Sequence, residues 1–74
     1  MITINLDITR DPSPVTFVRT KLYLEKLKHG DVLEVLLKEG ESLSNVPQNA
    51  VDQGYKVLGS LHVKDNIHKV IIQK

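Results

Sequence analysis

The segment Asp31–Lys38 carries Val32, Leu33, Val35, Leu36 and Leu37 in a nearly unbroken apolar run between Gly30 and Gly40. A run of this length, bounded by turn residues, predicts a strand buried on both faces and therefore central to a sheet. A central strand needs neighbours on either side, and the flanking sequence supplies them. Ile2, Ile4, Leu6 and Ile8 alternate with Thr3, Asn5 and Asp7, the period of a strand with one buried face. Tyr55–Val63 and His68–Gln73 predict two further strands, with Lys64, Asp65 and Asn66 as the short connection of a hairpin.

Two stretches follow a helical period instead. After a loop at 9–12, Ser13 reads as an N-cap and Pro14 as a first helical residue, with the helix running to Leu27 or Lys28. Gly30 is expected to supply a left-handed C-terminal residue. Phe17, Thr20, Leu24 and Leu27 share one side of this helix, with Tyr23 at its edge, and form the stripe expected to face the core. In the second helix Ser42 is the expected N-cap, Leu43, Val46, Ala50 and Val51 form the apolar stripe, and Pro47 is expected to distort the start. The order is β-α-β-α-β-β. Two helices and four strands are most economically arranged as a two-layer α/β sandwich of the α+β class, a four-stranded mixed sheet with both helices on one face. Residues 1–74 are expected to form a single domain, without repeat, linker or low-complexity tract.

Composition narrows the function. The formal net charge is +1 and the only aromatics of the Phe, Tyr and Trp type are Phe17, Tyr23 and Tyr55. Balanced charge and so few stacking rings argue against nucleic-acid binding, although similar two-layer folds do bind RNA. No segment has the length of a secretory h-region or a membrane span, so no membrane association is expected. The cysteine count is 0, which removes disulfides, thiolate metal ligands and thiol catalysis, and suits a reducing cytoplasm. His29, His62 and His68 lack metal-ligand spacing, and Gly40, Gly54 and Gly59 form no phosphate loop, so neither a metal nor another cofactor is expected.

The chemistry-bearing stretch is Ile8–Lys21, where Pro12 and Pro14 bracket Ser13 at the mouth of the first helix. Val15, Val18 and Leu22 lie on a different side of that helix from the core stripe, beside Arg19. A helix on one sheet face cannot bury both sides, so this second stripe is expected to be partly exposed and available to a partner. The competing reading packs Val18 and Leu22 against the second helix.

The arrangement resembles the TusA/SirA-like family of small sulfurtransferases. Members share a Leu-Asp near the N-terminus and a Cys-Pro-x-Pro that opens helix 1. Without a gap, Leu6-Asp7 falls on the Leu-Asp, Ser13-Pro14 on the Cys-Pro, Gly30 on the glycine closing helix 1, and Val46-Pro47 on an apolar-Pro pair in helix 2. A second register, with Pro12-Ser13-Pro14 over Pro-x-Pro, would put Asp11 at the cysteine. In the ungapped register the second proline is Thr16, as in a Cys-Pro-x-Thr subgroup, and a glycine frequent in the preceding loop is Arg10. The resemblance implies a cysteine that accepts a sulfane sulfur from a donor such as a cysteine desulfurase and passes it on as a persulfide. A helix N-terminus favours the thiolate such chemistry needs.

Ser13 stands at that catalytic position, and a hydroxyl neither forms a persulfide nor acts as a nucleophile without a base. Three readings of Ser13 follow: an engineered Cys→Ser replacement, a paralogue that has lost transfer and keeps binding, or an N-cap in a chain that shares only the fold. Around it, Asp11 is expected to orient a partner's group, to cap the helix or to be solvated. Arg10 and Arg19 are candidates for attracting an acidic partner, or are solvated charges. The resemblance thus implies a sulfur carrier whose reactive position holds serine, with a protein donor or acceptor as partner. A non-catalytic binding module built on Val15, Val18 and Leu22, a weak homodimer included, is the alternative.

Overall fold

A computed structural model describes residues 1–12 and 15–74. The elements are β1 (Thr3–Asp7), α1 (Val15–Lys26), β2 (Val32–Lys38), α2 (Glu41–Asp52), β3 (Lys56–Lys64) and β4 (Ile67–Gln73). The sheet order is β1-β2-β4-β3. β1 runs parallel to β2, while β4 is antiparallel to both β2 and β3, so the sheet is mixed as expected. Cross-strand register sets Leu6, Val35 and Val70 in one row, and Ile4, Leu33, Ile72 and Val57 in the next. All seven lie on one face and join Leu24 and Leu27 of the α1 segment and Val46 and Ala50 of α2 in a single cluster. Both helices therefore cover the same side of the sheet.

The apolar run is central, between β1 and β4. Its burial differs from the expectation on one side: Leu33, Val35 and Leu37 are inaccessible, whereas Glu34 and Leu36 are half-buried. On the helix-free face Glu34 pairs with Lys69 of the neighbouring strand β4 at 3.1 Å.

Helix α1 buries Thr16, Thr20 and Leu24, with Leu27 buried just beyond its end, and Tyr23 packs against the core. Phe17 is half-buried and lines the groove between the helices. The expected core stripe is thus correct except that Thr16 lies deeper than Phe17. α1 ends at Lys26, earlier than the glycine suggested, with the Leu27 N–H donating to the Leu24 carbonyl. Gly30 does adopt φ 95°, but its N–H bonds the Lys74 carbonyl and serves the turn into β2.

The start of α2 corrects a second expectation. Gly40 occupies the N-cap at φ 123°, a conformation open to glycine, so the helix begins at Glu41 and Ser42 falls inside its first turn. The Ser42 hydroxyl donates instead to Thr16 Oγ1 at 3.3 Å, joining the two helices. α2 runs unbroken through Pro47, and Val51, assigned to its apolar stripe, is 54% exposed because the sheet lies under Val46 and Ala50. The hairpin connection is Asp65-Asn66, with Asp65 at φ 47°.

Asp31 pins the base of the sheet. Its carboxylate accepts the Ile2 N–H at 2.9 Å and the Lys28 N–H at 3.0 Å, tying the start of β1 to the α1–β2 turn. These two backbone hydrogen bonds hold the carboxyl below its ordinary pKa. A depressed folded-state pKa adds stability that is complete above the unfolded value of about 3.9 and fades as pH falls through the folded value. Urea unfolding should therefore show Asp31→Asn less stable than the parent near neutrality, with the gap closing below about pH 4; a gap independent of pH would contradict this role. Thr16→Val, which keeps shape but removes the hydroxyl that Ser42 meets, should cost about 1 kcal/mol, and Ser42→Ala should add little on top of it. Fully additive costs would show that the two hydroxyls do not interact.

Candidate functional site

Because β1 and β2 are parallel, the chain leaves β1 at the end of the sheet where β2 also finishes, and α1 must start there to carry the chain back. The segment between them is fastened at several points. The Ile8 N–H donates to the Leu36 carbonyl at 2.9 Å, and the Ile8 side chain is buried. Asp7 accepts the Thr9 N–H at 2.9 Å and the Thr9 hydroxyl at 2.7 Å, hydrogen bonds that depress its pKa. The Asp11 N–H reaches back to the Ile8 carbonyl at 3.1 Å. On the far side the Thr16 N–H bonds the Pro12 carbonyl at 3.2 Å.

Ser13 and Pro14, the expected catalytic position and helix opener, lie outside the described residues. Their flanks are defined. Thr16, assigned to the motif, is a buried residue that closes the first turn and touches α2. Val15, Val18 and Leu22 are 41%, 48% and 50% exposed, so the second stripe of α1 faces outward and is not packed on α2. Arg10 is exposed on the loop. Asp11 and Arg19 meet: Arg19 Nη1 donates to Asp11 Oδ2 at 2.5 Å, and that bond holds the guanidinium still more firmly in its charged form. Arg19 is therefore engaged within the chain, and the Asp11 carboxylate spans from the loop to the second turn of the helix.

The histidines stand apart from this elbow. His62 and His68 are register partners across the hairpin and face each other with ring centroids 4.9 Å apart. His68 Nε2 meets Glu39 Oε1 at 2.9 Å, and His62 Nε2 meets the Asp65 carbonyl at 2.6 Å. Among the described residues no group of three or more His, Asp or Glu side chains is placed to hold a metal ion. A cleft of about 300 Å³ opens at the opposite end of the sheet, beside His29, Tyr55 and Lys56. Among the described residues no helix is long and apolar enough to cross a membrane.

The Asp7–Thr9 bond has a local signal, an Asp followed two residues later by Thr. The Asp11–Arg19 pair has none, because eight residues separate its members and only the path of the loop brings them together. Asp31 likewise bonds groups 29 and 3 residues away, one of them unreadable from local pattern.

Comparisons with known proteins bear on the whole chain. A family model described as sulfurtransferase TusA matches residues 4–74. A candidate sulfur carrier protein of Archaeoglobus fulgidus is 33% identical over 69 residues, covering 93% of this chain and 78% of that one. The candidate sulfur carrier protein YedF of Escherichia coli K12 is 38% identical over 53 residues, 72% of this chain and 69% of YedF. The crystal structure of a SirA-like protein from Desulfitobacterium hafniense superposes with a TM-score of 0.82 at 30% identity, covering 99% of this chain and 96% of that one. The match in sequence, in strand and helix order, and over nearly the full length makes this chain a member of the TusA family of sulfur carrier proteins.

Proposed function

We propose that this chain is a sulfur carrier in scaffold but not in chemistry: it docks on a protein of a sulfur-transfer route and, with serine at position 13, takes no sulfur itself. The observation that carries this reading is the coincidence of a TusA match over residues 4–74 with a cysteine count of 0. In a persulfide relay a carrier thiolate attacks the outer sulfur of the donor persulfide. A new S–S bond forms, the donor's S–S bond breaks, and the donor leaves as its thiolate. A serine hydroxyl offers no such thiolate, and its proton is far harder to remove. In sequence, position 13 keeps the motif's Pro14 and Thr16 after it, so the motif persists while the reagent is missing. The same reading puts the chain in the cytoplasm, where thiol-based donors remain reduced.

Binding without transfer needs a surface, and the outward stripe of α1 supplies one next to the elbow. Val15, Val18 and Leu22 are each about half exposed, on a helix whose opposite side is fully committed to the core. This supports the binding-module form of the proposal, with a donor or acceptor protein as the partner and Arg10 on the adjoining loop available to an acidic group.

Two outcomes test these statements. Ser13→Cys, incubated with a cysteine desulfurase and cysteine, should gain one sulfur atom by mass spectrometry, removable by a reducing thiol; an unmodified cysteine would contradict the carrier elbow. Val18→Asp should leave unfolding stability within about 0.5 kcal/mol, as expected for an exposed site. It should weaken association with the same desulfurase at least tenfold by calorimetry. Unchanged association would remove the α1 stripe as the docking surface.

A further inference from the structure

We propose that the outer edge of β3 is a docking surface for an extended, acidic segment of a partner protein, which adds to the sheet as a further strand. β3 ends the order β1-β2-β4-β3, so one side of it pairs with β4 and the other carries unpaired backbone groups. It is the longest strand, 9 residues from Lys56 to Lys64, against 5 in the opposite edge strand β1. Leu58, Leu61 and Val63 are 55%, 57% and 49% exposed along it. Single exposed apolar residues are ordinary, but a cluster of large ones on a bare strand edge marks a contact. The patch continues onto the helix-free face. Leu61 shares a register row with Lys69 and Leu36, and Gly59 stands beside Ile71 with no side chain to set over it. Leu36 and Ile71 accordingly stay half-buried.

Charge selects the occupant. Lys56 and Lys64 stand exposed at the two ends of β3, and the strand holds no acidic residue; Asp65 lies beyond it in the hairpin turn. Among the described residues neither lysine forms an ion pair, whereas Lys69 on β4 is already matched with Glu34. Antiparallel pairing of two copies about Ser60 would set Lys56 of each opposite Lys64 of the other, and like charges directly opposite destabilise a strand pair. A segment with an apolar middle and acidic ends meets the same groups with the opposite sign. The register of β3 with β4 skips Leu58 and Val63, one at each bulge, so the ladder is regular from Gly59 to His62 and offers the incoming strand an even edge there. In such an addition the main-chain hydrogen bonds supply affinity and the side chains supply choice. The surface includes neither position 13 nor the exposed stripe of α1, so the proposal goes beyond the carrier reading and does not depend on it.

The test titrates the unaltered chain with an end-blocked peptide, Glu-Glu-Val-Thr-Val-Ser-Val-Glu-Glu, and follows the backbone amides by NMR. Shifts should concentrate on β3, and amide exchange there should slow. Replacing the glutamates of the peptide by lysines should weaken binding by roughly fivefold or more. Methylating the amide nitrogens of the central valine and the serine after it, which removes a donor from each edge of the peptide, should weaken it by a similar factor. The double variant Lys56→Glu/Lys64→Glu should prefer the lysine peptide. The peptide replacements need no altered protein, so they decide the matter even where that variant fails to fold. No change at β3 with millimolar peptide, equal binding of the acidic and basic peptides, or undiminished binding of the methylated one would overturn the proposal. So would sedimentation showing that the chain dimerises and that the peptide dissociates the dimer, since the edge would then belong to a second copy.

Discussion

The parallel pairing of β1 with β2, from Thr3 opposite Val32 to Asp7 opposite Leu36, is the constraint on which the rest of the molecule depends. Two parallel neighbours cannot be joined by a hairpin, so the connection must cross back along the sheet, and α1 is that crossing. The helix therefore begins at the end where both strands finish. The elbow before it is placed by backbone bonds, notably that from Ile8 to the Leu36 carbonyl, and at the far end of the sheet Asp31 fixes the same pairing through Ile2. None of these bonds uses the side chain at position 13. The scaffold of a sulfur carrier can accordingly persist when the reactive sulfur does not, and the fold and the chemistry become separable properties of one sequence.

That separation explains what was legible in the sequence. Alternation at Ile4, Leu6 and Ile8, the apolar run through Leu37, and the hairpin around Asp65 are signals that burial and turn chemistry dictate, and all four strands followed from them. The helical stripes of α1 were also readable, including the outward one at Val18 and Leu22. What escaped were positions set by backbone conformation or by distant partners. Gly40 displaced Ser42 as the N-cap because φ 123° there admits glycine and starts the helix two residues sooner. Thr16 proved more buried than Phe17 because its hydroxyl meets Ser42 where the helices approach. Around the expected site the outward side of α1 was legible and the electrostatics were not: a pairing of Asp11 with Arg19 exists only once the loop between them has been folded.

The elbow also shows how charge is distributed in a small domain of balanced composition. Asp7 is satisfied by Thr9, Asp11 by Arg19 and Asp31 by two backbone amides. Each of these three carboxylates is thus tied to a neutral donor or a cation, and the exposed apolar side chains of α1 border a loop whose acidic groups are already engaged.

The central claim, a carrier scaffold that engages the sulfur route without carrying sulfur, is tested most directly by competition. The unaltered chain would be titrated into a reaction in which a cysteine desulfurase delivers labelled sulfur to a cysteine-bearing TusA protein. The expected result is a dose-dependent fall in sulfur reaching that protein, with no label on this chain. Delivery unaffected at a large excess, or label appearing on the chain itself, would contradict it.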